Sequence, residues 1–378
     1  MEAKKEGQGI SMTSEYKLTA PTPNPGQRKC IDGIGTGKSS LVYDILGKDE
    51  EDAIFETLNN EIKWREMSHK RGLVPRLICN QSTVYKSTKT AEGDNDTLDL
   101  FHPVYRHEGL AAGAANPPPL ISWTPYVANI KKTAEEICGH PFNHALIQLY
   151  RSGDDYINEH ADKTLDIMEG SYICNYSCGA LRTMILRLKK GARETANETG
   201  FAPSEKQIPA QPCISKKEQQ EVDNQKEQER NKLRIPMTHN SLFLLDPHTN
   251  RYMLHSIKRD KRPNCEKTED ELKEGGARIS ITFRWIHTFE RISDAILFGG
   301  GSKRKNIKVD EKNSIVSVIE YGDQPVKDAT SKGDTNHCKD DGETMLIAFS
   351  KENSEAESFN WEEIYGCGFD AKEAPNFV

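Results

Sequence analysis

The chain has 378 residues, enough to bury a full core in one large or two ordinary domains. Charged residues make up 29% and sum to a formal charge of −7, which excludes a global attraction to nucleic acid and leaves only local basic patches for such contacts. No apolar run approaches the roughly 18 residues of a membrane-crossing helix, the first twenty residues lack the apolar stretch of a signal peptide, and nine cysteines without a Cys-x-x-Cys pair suit reduced thiols in the cytosol or nucleus.

Residues 1–40 are polar and punctuated by Pro and Gly, and read as a flexible leader. Within them Gly35-Thr36-Gly37-Lys38-Ser39 looks like the end of a phosphate-binding loop. The full pattern requires glycine five residues before Gly37, where this chain has Asp32, and a buried strand upstream, where Gln27-Arg28-Lys29-Cys30 supplies none. A nucleotide triphosphatase is set aside on those grounds. Residues 51–64 follow a helical pattern with Ile54, Phe55, Leu58 and Ile62 on one stripe. Residues 73–79 read as a strand entered through Pro75. A second helix starts at Thr124, a good N-cap followed by Pro125, and carries Val127, Ile130, Ala134 and Ile137 on its apolar face until Gly139 ends it.

Strands dominate from there, at 145–151, 155–161, 171–177 and 181–188, and after the break at 233–237, 241–245, 251–257 and 277–286. The break, 189–232, is a polar insertion rich in Lys, Glu and Gln. Two early helices and about eight strands imply an α+β class domain over 41–290, a double-stranded β-helix (jelly roll) with N-terminal helices packed on it. Residues 291–378 read as a polar linker and a short C-terminal segment. Its Met345, Leu346, Ile347, Phe349, Trp361, Ile364 and Tyr365 could bind a partner or dock on the 41–290 domain, and docking is favoured because aromatic side chains are costly to leave in water.

The chemistry concentrates at Asn158-Glu159-His160-Ala161-Asp162. A His and an Asp two apart on an extended segment point to one face. One imidazole and one carboxylate presented together form two thirds of the facial triad that holds non-haem Fe(II). By itself, His-x-Asp is equally the signature of a solvated loop. A third ligand should lie on a late strand, and His239, His248 and His255 compete. His239 falls in a short polar break and His248 in a Pro-His-Thr-Asn turn. His255 ends the apolar run Arg251-Tyr252-Met253-Leu254, 93 residues after Asp162, and is preferred. In the last strand Ile279, Ile281 and Phe283 alternate with Arg278, Ser280, Thr282 and Arg284. An amphipathic strand suffices to explain the alternation. If the polar face lines a metal cavity, however, two guanidiniums meet there and require anions, which a dicarboxylate co-substrate would supply.

His160-x-Asp162, His255 and Arg278-x5-Arg284 resemble the AlkB-like branch of Fe(II)/2-oxoglutarate dioxygenases. The likeness extends through Leu146 to Tyr150 with Gly153, Gly170-Ser171, Ser177-x-Gly179-Ala180-x-Arg182, His239-Asn240-Ser241-Leu242 and Val74-Pro75-Arg76. The chain is similar to fungal members of that branch, which share a tail like Phe359 to Gly366. The resemblance implies that His160, Asp162 and His255 hold iron. It implies that Arg278 and Tyr150 bind the distal carboxylate of 2-oxoglutarate and Arg284 the end near the metal. Gln148 stands where the family usually has Asn. The implied cofactors are Fe(II), 2-oxoglutarate and O2. The implied reaction is oxidative demethylation of N-alkylated bases in DNA or RNA, as in DNA repair, with release of succinate, CO2 and formaldehyde. The alternative is the same chemistry on a protein or small molecule, which the acidic balance favours, as does Lys163-Thr164 where DNA-repair relatives tend to be acidic. A catalytically silent binding protein is argued against by the intact set. Arg76, Lys163, Lys258 and Arg259 are the candidate substrate contacts. Lys303-Arg304-Lys305 could serve as a nuclear signal, and a monomer in the nucleus or cytoplasm, free of the membrane, is expected.

Overall fold

The computed structural model describes residues 28–69, 72–88, 98–106, 121–189, 192, 232–318 and 337–372. Its larger sheet runs in the order β1 (Cys30–Ile34), β2 (Ser39–Tyr43), β13 (Ser241–Leu245), β10 (Ile173–Gly179), β15 (Arg278–Arg284), β8 (His144–Tyr150) and β5 (Leu77–Ser82). A smaller sheet runs β12 (Lys232–Met237), β11 (Arg182–Leu188), β14 (Met253–Ile257) and β9 (Ile157–His160). All pairings in these two sheets are antiparallel, and most join strands far apart in sequence, giving the double-stranded β-helix.

The alternation in β15 decides what lies on each side of the larger sheet. Ile279, Ile281 and Phe283 enter a core shared with α1 (Lys48–Glu61) and α2 (Pro125–Cys138), through Ile54, Phe55 and Leu58 on one helix and Val127, Ile130 and Ala134 on the other. Arg278, Ser280, Thr282 and Arg284 face a cavity between the sheets. Deeper between the sheets, Leu41, Phe243 and Leu245 meet Leu186, Ile235, Met237 and Met253 in a second core. The helix ends follow the sequence signals, with one change. Pro125 opens α2 and Gly139, at φ 76°, closes it, but the Thr124 hydroxyl donates to Glu61 at 2.7 Å instead of capping. The Glu61 carboxylate takes over, accepting from the Val127 N–H at 3.3 Å, and so ties α1 to α2.

Three expectations need correction. The leader of 1–40 does not extend to 40, because β1 and β2 form a hairpin whose inner strand is buried and pairs with β13. The Gly35-Thr36-Gly37-Lys38-Ser39 stretch is its turn and no phosphate cradle. Gly35 has φ +76°, and a Cβ there would stand 2.6 Å from Thr249 Cγ2. Residues 251–257 are not all strand: Asp246 accepts from the N–H groups of His248 and Thr249 at 3.0 Å and, with Pro247, starts the short helix α3 (Pro247–Tyr252).

The region after 290 is no simple linker. β16 (Thr288–Arg291), β17 (Leu297–Gly299), β18 (Ile307–Asp310) and β19 (Ile315–Val318) combine with β6 (Tyr85–Ser87) and β7 (Leu100–Pro103) in a third sheet, ordered β17-β16-β7-β6-β19-β18. Tyr85, Phe101, Phe289, Phe298 and Val316 fill its own core. A two-residue pair, β3 (Ser68–His69) and β4 (Gly72–Leu73), stands apart. The insertion at 189–232 lies almost wholly outside the described residues. The C-terminal segment forms α4 (His337–Ser354) and α5 (Trp361–Tyr365), and packs Met345, Phe349, Phe359, Tyr365 and Phe369 around Leu165. Trp361 and Ile364 lie at the edge of that cluster, whereas Ile347 faces solvent at 59% exposure. Two residues of the Lys303-Arg304-Lys305 triplet take part in the same docking, Lys303 on Asp341 at 2.5 Å and Arg304 on Asp370 at 3.1 Å, while Lys305 donates to the Gly300 carbonyl.

Candidate metal and co-substrate site

β9 and β14 pair so that His160 stands directly opposite His255, their ring centroids 4.2 Å apart. Asp162 follows just past the end of β9, and ligand-capable atoms of the three residues lie within 4.8 Å of one another. The other two candidates serve elsewhere: His239 bridges Gly179 N and Glu51 O, and His248 touches Thr36 and packs at a tilt against Tyr252. Burial lowers the His160 imidazole from its ordinary range and pushes His255 down to about 3. Both rings are therefore neutral near pH 7, the form that ligates a metal. The His160 Nδ1–H donates to the Asn158 carbonyl at 2.8 Å, which leaves Nε2 facing Asp162 Oδ1 at 3.9 Å. His255 Nδ1 is buried and has no hydrogen-bond partner among the described residues.

Asp162 is held from both ends. Its backbone N–H donates to Asn250 Oδ1 at 3.0 Å and its carbonyl accepts from Asn250 Nδ2 at 2.8 Å. Its Oδ2 accepts from Arg284 Nη2 at 3.1 Å and Nε at 3.3 Å. Burial alone would raise the carboxyl, but the Arg284 guanidinium, joined at low pH by the protonated His255 and His160 rings, outweighs it and holds the group well below the usual carboxylate range. The Arg284 guanidinium also lies 4.2 Å over the Tyr105 ring.

The opposite end of β15 differs. Arg278 is buried and donates to Ser177 Oγ at 2.8 Å and Asn175 Oδ1 at 3.1 Å, with the Tyr150 ring 5.4 Å from its guanidinium. Among the described residues no carboxylate pairs with it. Burial pushes it down to about 10, so it remains a cation. Tyr150 lies opposite Arg278 across the β8–β15 ladder, and its hydroxyl donates to Gln148 Oε1 at 3.3 Å. Both side chains line the cavity together with His160, Asp162, His255 and Arg284. A buried cation that the protein leaves without a counter-charge fits an anionic ligand, and a nearby neutral His, neutral His and carboxylate set fits Fe(II).

The expected substrate contacts separate. Arg76 donates to the Tyr156 carbonyl at 2.9 Å, Arg259 stacks 4.9 Å over the Tyr156 ring, and exposed Lys258 influences neighbouring Glu159. These three gather beside β9. Lys163 does not join them, being 2% exposed, with its Nζ bonded to Ala161 O at 2.9 Å and to Asn353. A substrate contact is corrected there, because the side chain is closed off under the C-terminal segment. Asn175, Asn250 and Tyr105 were missed. Asn175 had a signal: it is polar in an otherwise apolar strand, at the same parity as Ser177 and Gly179.

A jelly roll with two histidines and an aspartate converging on a cavity beside an unmatched buried arginine defines a non-haem iron oxygenase that takes an acidic co-substrate. The 2OG-Fe(II) oxygenase superfamily model matches residues 39–284, and the chain belongs to that family. It is an Fe(II)/2-oxoglutarate-dependent dioxygenase of AlkB-like type, using Fe(II), 2-oxoglutarate and O2. It is 25% identical over 242 residues to the human DNA oxidative demethylase ALKBH2, covering 64% of this chain and 71% of that one. The Arabidopsis thaliana protein of the same name is 26% identical over 289 residues, 73% of this chain and 76% of that one. A shorter match, 34% identical over 77 residues, links it to human alpha-ketoglutarate-dependent dioxygenase alkB homolog 3, at 20% of this chain and 27% of that one. The solved structure of OsALKBH1 overlaps 65% of this chain and 97% of that one, at 12% identity and a TM-score of 0.33, a likeness too remote to inform the site.

Proposed function

We propose that this enzyme removes N-methyl groups from alkylated bases of DNA. In this reading His160, Asp162 and His255 hold Fe(II), Arg278 and Tyr150 receive the distal carboxylate of 2-oxoglutarate, and Arg284 serves the end near the metal. The observation that carries it is Arg278, a buried guanidinium on the metal-cavity face with neutral hydrogen-bond acceptors and, among the described residues, no carboxylate. DNA is favoured because the relatives named DNA oxidative demethylase match 64% and 73% of this chain.

Each residue has a physical task. The neutral imidazoles and the ionised Asp162 supply donors without proton loss at neutral pH. Asn250 and Arg284 keep the carboxylate turned toward the histidines. Phe243, Leu245, Met184 and Ile257 line the cavity and exclude water. The loaded centre would couple oxidative decarboxylation of 2-oxoglutarate to succinate with hydroxylation of the methyl group, which leaves as formaldehyde. A base must leave its stack to reach such a pocket. Arg76, Lys258 and Arg259 beside β9 are suited to hold the flanking phosphates, a local basic edge on a chain of net charge −7. A DNA substrate would place the enzyme in the nucleus.

The test is mass spectrometry of a 1-methyladenine oligonucleotide incubated with protein, Fe(II), 2-oxoglutarate and O2, single- and double-stranded, with His160→Ala alongside. Methyl loss that requires 2-oxoglutarate and disappears in the variant is expected. Succinate without methyl loss would move the substrate away from nucleic acid.

A further inference from the structure

We propose that the C-terminal segment, 337–372, is a positioning element of the iron site, with Asn353 and Glu352 holding the loop that carries Asp162. The inference rests on the assignment of His160, Asp162 and His255 as ligands, not on the choice of substrate.

Strand β9 stops at His160, so the residues that follow have no sheet ladder to set their backbone. Their buried polar groups must find side chains instead. Asn250 takes both backbone groups of Asp162. The residues on either side are taken from the C-terminal segment. The Ala161 N–H donates to Asn353 Oδ1 at 3.0 Å, and the Lys163 ammonium reaches the same oxygen. The Thr164 N–H donates to Glu352 Oε1 at 3.0 Å and its hydroxyl to the same oxygen at 2.5 Å. Glu352 is in turn fixed by the Tyr365 hydroxyl, at 2.8 Å on Oε2. Two adjacent residues from the end of α4 thus bracket Asp162 in sequence and in space.

The end of α4 suits this place electrostatically. A helix C-terminus carries partial negative charge on its unpaired carbonyls. Here Lys189 Nζ donates to the Glu352 carbonyl in the last turn at 2.5 Å, and beyond the helix Arg251 donates to the Ala356 and Phe359 carbonyls at 3.0 Å. Further along the loop, Arg106 pairs with Asp166 at 2.7 Å and donates to the Phe369 carbonyl at 2.7 Å. Apolar packing of Met345, Phe349 and Tyr365 on Leu165 would suffice to dock the segment. A buried carboxylate and a half-buried amide add a desolvation penalty, and they sit where they govern the ligand loop.

The experiment is a Co(II) titration of the full chain, read by the visible absorption of the bound ion, with thermal melting in parallel. Asn353→Ala should weaken Co(II) binding by about 10-fold, the lower end of what loss of an outer-shell partner typically causes. Asn353→Asp, which still accepts from Ala161 and Lys163, should bind close to wild type. Thr164→Val, which keeps volume and removes the hydroxyl contact to Glu352, should weaken binding by a smaller factor and decides the matter if Asn353→Ala does not fold. A folded Asn353→Ala with wild-type Co(II) affinity, whatever its melting temperature, would overturn the proposal, as would unchanged affinity in Thr164→Val. Wild-type protein that binds no Co(II) would overturn the metal assignment itself.

Discussion

Arg278 and Arg284 lie on one strand, on one face, six residues apart, and both are nearly free of solvent contact, yet their surroundings are opposite. Arg284 has its anion in the protein, the Asp162 carboxylate at 3.1 Å. Among the described residues Arg278 is met by neutral acceptors, Ser177 and Asn175, and by the ring of Tyr150, with no carboxylate paired to it. In the proposed reading Arg284 meets the co-substrate's near-metal end with its charge already matched by a metal-site carboxylate, whereas Arg278 holds its full charge for the ligand. Identical residues in one strand can thus differ in how much charge they leave for a ligand, according to whether the protein supplies the counter-charge.

The largest expected effect comes from breaking the matched end. Arg284→Met should destabilise the metal-free protein by about 3–5 kcal/mol in denaturant titration, because Asp162 is left as an uncompensated buried charge. Arg278→Met should cost clearly less, since the lost hydrogen bonds are offset by removal of an unmatched charge. Equal losses would dissolve the contrast. A second effect concerns the ligand. At 2-oxoglutarate 100 times its Kd, with Mn(II) in place of iron, wild type should gain about 2.7 kcal/mol of stability. Arg278→Met should gain almost nothing at that concentration, as thermal melting would report. The smallest effect belongs to Gln148→Asn. Shortening the amide removes its acceptor from the Tyr150 hydroxyl, a neutral bond worth about 0.5–1.5 kcal/mol. KM for 2-oxoglutarate should rise by a few-fold at unchanged kcat, and a fall in kcat instead would place Gln148 nearer the reacting atoms.

The contrast between the arginines was only half visible in the sequence. Strict alternation through Ile279, Ile281 and Phe283 places Arg278 and Arg284 on one face, and the jelly-roll order makes a late histidine such as His255 the natural companion of His160. Periodicity says which face a side chain takes, and not what stands across the cavity from it. Asp162 was identified as a ligand without its partnership with Arg284 being apparent, since the two are 122 residues apart. The same blindness misplaced Lys163. A lysine beside a metal motif suggests contact with a phosphate, but its oxygen acceptor Asn353 comes from 190 residues downstream. The β1–β2 hairpin was lost in the leader because β1 is a short edge strand with exposed Asp32 and Gly33, so little apolar pattern marks it. Asn250 and Asp246 act through short-range geometry in a turn, where the identity of one polar residue matters and no period announces it.

The most direct measurement is titration calorimetry of 2-oxoglutarate into Mn(II)-loaded wild type and Arg278→Met. Wild type should bind one equivalent, and the variant should bind at least about 30-fold more weakly, the loss expected when a buried charge pair is truncated, with its Mn(II) affinity unchanged. Equal affinity in the two proteins would contradict the account, because the unmatched guanidinium would then have no ligand to meet.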